Sequence, residues 1–460
     1  MNTDEICSFV EKFRLADASS YAREQAILHI IDTIGVALAA SSDPATQIAL
    51  RQVEPKPRGA VAWGQEQHYA TGDAAWVNGI AAHAFDFDDT SMLSGAHLSA
   101  GIVPAVIALG EQLGVPGAAI LEAYIVGHEV AEKVGATLPS MESYARGWHG
   151  TAVHAEIGSA AGAAKLLGLQ GPALAQAFGI AASLASGIRR NTGSMTTALH
   201  SGNAASNGII AASLARDGFT ANPAIFDGPA SFFDAFCWRG EPGAPIALVP
   251  LGRPLGFEDP GVGIKPYPMG SPLFSVAEGM LAWKHELGFR PEDLVSVKCA
   301  LHPNAYEVEG VATTRAPQNA MQAKYSVPYV VAAISVFGAL GLEQFSETAL
   351  ADPEVNRIIP LVEVGQLEGT SWTSGVGQEV EPPTRLELRL QGRAPLVKMV
   401  NKVRGYPGGG LFTVEETRRK FFDCVRRIWP RDRAEAALET LLGIEKIGQW
   451  RKEAELLQRG

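Results

Sequence analysis

The sequence has few cysteines, no long apolar run and no cluster of basic residues, and each absence excludes a class of protein. The four cysteines are Cys7, Cys237, Cys299 and Cys424. They are far apart and form no CxxC pair, so neither a disulfide framework nor a zinc site is predicted. No apolar stretch is long enough to cross a bilayer, and the N-terminal residues lack the layout of a signal peptide. We therefore expect a soluble, cytoplasmic protein that does not contact a membrane.

The charge pattern argues against a nucleic-acid partner. Acidic residues number 49 against 38 Lys and Arg, and the net charge of −11 is accompanied by no basic run of the kind that binds a phosphate backbone. An anionic small molecule is still compatible with this surface, because a few cationic side chains in a pocket can reverse the local potential.

Several catalytic motifs are missing as well. Metal-binding spacings such as HExxH, phosphate loops, dinucleotide fingerprints and a GxSxG elbow between strand and helix do not occur. The clustered aspartates of DFDDT (86–90) are only a weak signal for magnesium, so no metal is predicted. What remains is acid–base chemistry by His and Asp, with Lys and Arg to hold an anion.

What is present indicates a mostly α protein of two or three domains, as its 460 residues suggest. Up to about residue 260 the apolar residues return every three or four positions with much Ala and Gly, which predicts tightly packed helices. The stretch AVAWG near Val61 is the only convincing strand there.

A cluster of Gly and Pro near residue 265 predicts a domain boundary. Beyond it, LVSVKCALHP and TRLELRLQGRAPLVKMV alternate apolar and polar residues and predict strands, whereas YSVPYVVAAISVFGAL and FSETALADPEVNRII predict helices. We therefore predict an all-helical domain formed by residues 1–265 and 406–460, and a smaller α+β lid domain formed by residues 266–405.

Four segments combine polar groups with apolar flanks: HAFDFDDTSMLSGAH, ARGWHGTAVH, SGIRRNTGSMTTALH and GIKPYP. The aspartates of the first segment have two interpretations, helix caps or a proton-transfer site. A single histidine such as His149 or His200 is more often structural than catalytic. Arg189 and Arg190 are adjacent and cannot share one helix face, so one of them is expected at the surface.

Taken together, the segments resemble the MmgE/PrpD family, which includes 2-methylcitrate dehydratases, cis-aconitate decarboxylases and iminodisuccinate epimerases. The matching pieces are AFDFDDT, HLSAGIVPAVIALGE, GWHGTAVHAEIGSAAGAAKLLGL, GSMTTALHSGNAASNGIIAASLARDGFTA, IFDGPASFFDAF and KPYP, in the family's order. The resemblance implies a helical domain with an inserted lid and a homodimer. It also implies chemistry on small di- or tricarboxylates without a metal or organic cofactor.

The resemblance also implies a set of site residues. The catalytic ones are Asp86, Thr90, His97 and His149, and the substrate-binding ones are Lys265, Arg189, Arg190, Thr197 and His200. Two positions depart from the decarboxylase pattern: Thr197 replaces the lysine of TKPLH, and Gly270 replaces a histidine five residues after Lys265. The spacing from Thr90 to His97 is one residue longer than in the family. Losing a lysine removes a positive charge and three donors, which disfavours cis-aconitate decarboxylation.

The leading hypothesis is therefore a hydro-lyase like 2-methylcitrate dehydratase. His149 or His97 would act as general base, Asp86 would orient a histidine, and Thr90 would bind the substrate. Lys265, with Arg189 or Arg190, would hold its carboxylates. The alternatives are an epimerase that uses His97 and His149 on opposite faces, a decarboxylase, and a non-catalytic carboxylate-binding paralogue.

Overall fold

The computed structural model describes residues 2–138, 143, 145–236, 249–308, 311, 314–369 and 383–459, so Cys237 lies outside the described residues. The chain forms two units. The first consists of Met1–Asn191, Met195–Ile264 and Phe412–Gly460, and the second of Thr192–Ser194 and Lys265–Leu411. The first unit is mainly helical and the second contains a four-stranded sheet, so the predicted mostly α fold with a smaller α+β part is confirmed.

The α-helices, in chain order, are α1 (Thr3–Lys12), α2 (Ser20–Ala39), α3 (Pro44–Leu50), α4 (Thr71–Ala84), α5 (Ser99–Leu113), α6 (Gly117–Thr137), α7 (Gly150–Leu167), α8 (Gly171–Leu184), α9 (Met195–Arg216), α10 (Phe232–Phe236), α11 (Phe274–Leu287), α12 (Pro303–Tyr306), α13 (Ala320–Ala323), α14 (Val327–Phe337), α15 (Glu347–Leu350), α16 (Pro353–Ile358), α17 (Val414–Val425) and α18 (Arg431–Leu442). The strands are β1 (Pro55–Val61), β2 (His68–Tyr69), β3 (Asp89–Ser91), β4 (Val262–Ile264), β5 (Leu294–Leu301), β6 (Val362–Gln366), β7 (Thr384–Leu390) and β8 (Leu396–Val400).

Glycines at the helix crossings of the first unit let the backbones approach closely. A Cβ atom on Gly79 of α4 would lie 2.9 Å from the Cα of Gly202 of α9, and one on Gly127 of α6 would lie 2.6 Å from the carbonyl oxygen of Gly158 of α7. Real side chains do not tolerate such distances, so these positions require glycine. The predicted close packing of small residues is confirmed, and the α4–α9 crossing lies within one turn of His83 and His200.

Helix α5 forms part of the centre of the first unit. Every residue from Ser99 to Glu111 is buried, as expected of a helix that is apolar on all sides and surrounded by other helices. Among the described residues no single helix is long and apolar enough to cross a bilayer; α2 and α3 reach that length and composition only as a pair, across an 85° bend.

The expectation of a single strand in the first unit was wrong. Strand β1 contains part of the predicted stretch and pairs with β2, but β3 and β4 form a second antiparallel pair in which Thr90 lies opposite Gly263. The two strands of this pair are three residues long and about 170 positions apart in the chain. Strands of three residues with distant partners leave no local alternation for a sequence to show.

The second unit contains a four-stranded sheet in the order β6-β5-β7-β8. Strand β5 runs parallel to β6 and antiparallel to β7, and its buried residues alternate with more exposed ones along most of its length. Helix α11 packs against β7, β8 and α14. The strands β5, β7 and β8 match the sequence predictions, whereas β6 was not predicted.

Candidate active site

The DFDDT loop (Asp86–Thr90) begins where α4 ends. Asp86 adopts a left-handed conformation with φ of 50°, and its backbone N–H donates to the carbonyl of His83 over 3.1 Å. Aspartate is one of the few residues other than glycine that tolerates this conformation. The loop then runs straight into β3, so the tight turn and the β3–β4 pairing together determine where its side chains lie.

The three aspartates of the loop have different partners. Asp88 Oδ2 lies 2.7 Å from His83 Nδ1, and both side chains are buried. Asp89 caps α5, because its carboxylate accepts hydrogen bonds from the backbone N–H and the hydroxyl of Ser99. Burial raises the pKa of Asp89, but its interaction with His128 and the charge of His29 together outweigh burial, and the pKa is lowered. Asp86 is buried beside the histidines described below.

Asp89 and the loop backbone are part of an anchor cluster, which we define as Asp32, Phe87, Asp89, His128 and Lys420. Lys420 of α17 lies 2.7 Å from Asp32 Oδ1 of α2, donates to the carbonyl of Phe87 over 2.6 Å and covers the Phe87 ring at 3.9 Å. Burial raises the pKa of Asp32 to about 6, although the Lys420 charge opposes this shift. The cluster fixes the loop from two helices that are far apart in sequence.

His97 lies next to the loop. Its backbone N–H donates to Thr151 Oγ1 over 3.0 Å, and its Nδ1 lies 2.5 Å from the carbonyl oxygen of Asp89 and 3.4 Å from Thr90 Oγ1. A carbonyl can only accept, so Nδ1 carries the proton, and Nε2 is the unprotonated nitrogen of the neutral ring. The structure therefore brings His97 and Thr90 together.

His149 directly precedes α7, and its backbone N–H donates to the carbonyl of Gly187 over 3.1 Å. Gly187 has φ of 123°, and a Cβ there would lie 2.5 Å from the Cβ of Ala152, so this close approach requires glycine. The Nδ1 atoms of His149 and His200 are 2.9 Å apart. One Nδ1 must donate and the other accept, so the pair holds a single proton in this hydrogen bond.

The four rings form what we call the histidine cluster (His83, His97, His149 and His200). Ring centroids are 5.2 Å apart for His83 and His97, 6.0 Å for His83 and His149, and 5.0 Å for His149 and His200. The rings come from the end of α4, the segment before α5, the start of α7 and the second turn of α9. Among the described residues, no three His, Cys, Asp or Glu side chains are grouped so that they could hold a metal ion.

The environment of His149 and His200 disfavours the protonated form of both rings. Burial, followed by the charges of His83 and His200, lowers the pKa of His149 well below its usual value, while Asp86 acts in the opposite direction. Burial and then His83 lower the pKa of His200 to about 4. At neutral pH both rings are therefore neutral and can accept a proton, as general-base catalysis requires.

The remaining predicted residues of the first unit lie near the His149–His200 pair in sequence. Arg189 and Arg190 belong to a 3₁₀ turn, Arg189–Asn191, in which Arg189 is half-buried and Arg190 is exposed. The backbone N–H of Arg189 donates to the carbonyl of Gly147 over 2.8 Å. Thr197 is buried, and its hydroxyl donates to the carbonyl of Asn191 over 2.8 Å.

Two positions belong to the second unit. Lys265 directly follows β4, and its side chain is fully buried. At Gly270, a Cβ atom would lie 2.8 Å from Cε1 of Tyr325. A histidine at position 270 would therefore require the Tyr325 ring to move.

The sequence predictions missed His83 and left the partner of Asp88 open. The available signal was the spacing of five residues between them in HAFDFDD. That spacing brings the two side chains together only because the helix ends at Ala84 and Asp86 turns the chain back, which the sequence pattern does not reveal.

The sequence matches the MmgE/PrpD N-terminal domain over residues 4–243 and the MmgE/PrpD C-terminal domain over residues 267–445. It is similar to cis-aconitate decarboxylase of Homo sapiens, with 29% identity over 346 residues, 73% of this chain and 70% of that protein. It is also similar to cis-aconitate decarboxylase-like protein oryM of Aspergillus oryzae, with 25% identity over 377 residues and 78% of both chains, and to cis-aconitate decarboxylase of Mus musculus, with 30% identity over 304 residues, 63% of this chain and 60% of that protein. The two domain matches together cover most of the sequence, so the chain belongs to the MmgE/PrpD family of lyase-type enzymes.

Proposed function

We propose that this protein is a hydro-lyase, similar to 2-methylcitrate dehydratase, that acts on a small hydroxy di- or tricarboxylate. The observation that supports this most directly is the histidine cluster, in which the His97 ring lies 3.4 Å from the hydroxyl of Thr90 and the neutral His149 ring interacts with the carboxylate of Asp86. A neutral imidazole can remove a proton from the carbon next to a carboxylate, and an imidazolium can return one.

The reaction needs one base and one acid. The base takes the proton from the carbon beside the carboxylate, the C–H electron pair forms the C=C bond, and the β-hydroxyl leaves as water after it receives a proton from the acid. We assign the two roles to His149 and His97, either of which can act as the base. Thr90 would bind the substrate and Asp86 would orient and polarise a ring.

Two observations favour a dehydratase over a decarboxylase. The hydroxyl of Thr197, which replaces the lysine of the decarboxylase pattern, donates to the carbonyl of Asn191. At Gly270, the space for a side chain is occupied by Tyr325. A positive charge and a proton donor of the decarboxylase pattern are therefore both absent from these positions.

An epimerase is the second candidate, because it needs two bases and the cluster has two candidates in His97 and His149, with His83 near both. Such an enzyme would take a proton from one face of an α-carbon and return one to the other face. This chemistry exchanges the α-proton with solvent without forming an alkene.

For the substrate carboxylates we propose Lys265 and Arg189, with Arg190, Thr197 and His200 as further ligands. Replacing Lys265 by Ala should raise KM at least tenfold, because a buried charge-assisted hydrogen bond of about 1.5–3 kcal/mol is lost. Steady-state kinetics would show this. Unchanged kinetics would remove Lys265 from the site.

We also propose a homodimer, which light scattering of the purified protein would test.

The decisive experiment is a proton NMR screen in D₂O with 2-methylcitrate, citrate, cis-aconitate, malate, tartrate and iminodisuccinate. New vinyl resonances from citrate, malate or tartrate, conversion of the 2-methylcitrate methyl doublet into a downfield singlet, or loss of the cis-aconitate vinyl resonance without new vinyl resonances would support the hydro-lyase. Exchange of an α-proton without a new product would favour the epimerase, and release of CO₂ from cis-aconitate would favour the decarboxylase. No change with any compound would favour a non-catalytic paralogue.

A further inference from the structure

His83 and Asp88 form a buried pair that none of the assigned roles uses. Their side chains are 3% and 0% exposed, and His83 Nδ1 lies 2.7 Å from Asp88 Oδ2. A carboxylate at this distance from a buried imidazole stabilises the protonated ring. Because Nδ1 donates to Asp88, the opposite edge of the ring, with Nε2, is directed away from the carboxylate.

His83 is central to the histidine cluster. Its ring lies 5.2 Å from that of His97 and 6.0 Å from that of His149, and His149 shares a hydrogen bond with His200. After burial, the charge of His83 is the largest influence on the pKa of His149 and on that of His200, and it lowers both.

Other charged and titratable groups surround this pair. Asp86 and His97 flank it in the loop, His149 and His200 approach from α7 and α9, and Asp32 and Lys420 of α2 and α17 lie beyond Asp88. Lys420 forms an ion pair with Asp32, and Asp88 is in direct contact with His83.

We propose that His83 and Asp88 form an internal ion pair, and that its imidazolium keeps His149 and His200 unprotonated in the free enzyme. An anionic substrate offsets this charge, so that His149 becomes a stronger base only when substrate is bound. This inference rests on the proposed function with His149 as its base, and it makes His83 a positioning residue, since it acts through His149. It explains how a base with a low proton affinity in the free enzyme can still remove a weakly acidic proton, because ideal general bases have proton affinities matched to the working pH.

The test is NMR titration of the protein labelled with ¹³C at the histidine Cε1 positions, without substrate. In His83→Gln the titration midpoint of His149 should rise by about one to two pH units, since a unit charge 6.0 Å away is removed, and the midpoint of His200 should rise as well. The near-isosteric Asp88→Asn should move them in the same direction, because His83 loses the carboxylate that holds its proton. The control is His68→Asn, a half-buried histidine of β2 outside the cluster, which should leave both midpoints unchanged.

The second half of the inference is tested with tricarballylate, a tricarboxylate without a hydroxyl that can leave. When it binds to the wild-type protein, the midpoint of His149 should rise, and the rise should be smaller in His83→Gln. Unchanged midpoints in a folded His83→Gln or Asp88→Asn protein would overturn the proposal, as would binding of tricarballylate without any rise in the wild type.

The outcome is separable from that of the proposed function, because the titration needs no turnover. Raised midpoints with no reaction in the substrate screen would keep the electrostatic role of His83 and reject the hydro-lyase. A reaction in the screen, with midpoints and the acid limb of the kcat/KM profile unchanged in His83→Gln, would keep the hydro-lyase and reject this role.

Discussion

The histidine cluster and the anchor cluster lie on the same loop and use similar residue types, but their side chains are paired differently. In the anchor cluster opposite charges meet, as in Asp32 with Lys420, and Asp89 caps a helix. In the histidine cluster the contact between His149 and His200 joins two groups that can each accept or donate a proton. The difference shows that a buried polar cluster stabilises the fold when opposite charges neutralise one another, and becomes suitable for proton transfer when groups of the same kind compete for one proton.

The largest expected effect is on the chemistry of the histidine cluster. Replacing His149 by Ala should lower kcat/KM by about 10²–10⁴-fold, the usual contribution of a general acid or base, with little change in Tm because the ring is half-buried. Kinetics with the substrate found by NMR would measure this. His68→Ala is the control and should retain activity. Equal activity of the two variants would show that the histidine cluster has a structural role, as the anchor cluster does.

The next effect concerns the stability of the anchor cluster. Replacing Lys420 by Met should destabilise the protein by about 3–5 kcal/mol, because Asp32 is then left as a buried carboxylate without its cation. Calorimetric Tm values would show the loss. The control is Lys398→Met, whose partner Glu286 is more than half exposed and whose loss should cost less than about 1 kcal/mol. Similar Tm values for the two variants would contradict the anchoring role.

A pair of substitutions at Asp86 separates the backbone turn from the charge. Asp86→Asn keeps a residue that tolerates the left-handed conformation, whereas Asp86→Ala should cost about 1–2 kcal/mol more in stability. Both remove the carboxylate that raises the pKa of His149, so both should move the acid limb of the kcat/KM profile to lower pH. A shift seen in only one variant would show that backbone geometry, and not charge, links Asp86 to the histidines.

The sequence was sufficient for features that depend on neighbouring residues. Helices such as α2, α6, α7 and α9 and the strands β5, β7 and β8 follow from apolar periodicity, because each pattern lies within one segment. The pairing of β3 with β4 was missed because it depends on residues about 170 positions apart and on three-residue strands.

The candidate site could be predicted in part for the same reason. The family resemblance identified His97, His149 and Asp86, which the structure brings to one loop and one cluster. It did not distinguish Asp88 from Asp89, because their partners depend on the left-handed turn at Asp86. After that turn the carboxylate of Asp88 contacts His83 of the histidine cluster, whereas the carboxylate of Asp89 caps α5 in the anchor cluster. The contacts of Lys420, more than 300 residues from the loop, are equally invisible in a local pattern.

The smallest expected effect concerns Glu156, a buried acid that belongs to neither cluster. It lies on α7 two turns after His149, and its Oε2 accepts a hydrogen bond of 3.3 Å from the side-chain amide of Asn207. Burial raises its pKa well above the usual value. The folded state therefore binds a proton that the unfolded state releases above about pH 4.5, so the stability from this group falls as pH rises through that range.

Replacing Glu156 by Gln removes this dependence while preserving the shape of the side chain. We expect the variant to match the wild type near pH 4 and to exceed it by about 1 kcal/mol or more at pH 8, as measured by Tm at both values. Glu122→Gln is the control, because Glu122 forms a partly exposed ion pair with Lys165 and its replacement should not raise Tm at either pH. Parallel Tm curves for the wild type and Glu156→Gln would mean that Glu156 is charged and paired in the folded protein, as the acids of the anchor cluster are. Diverging curves would mean that α7, which supports proton transfer at its start, uses its interior only for packing.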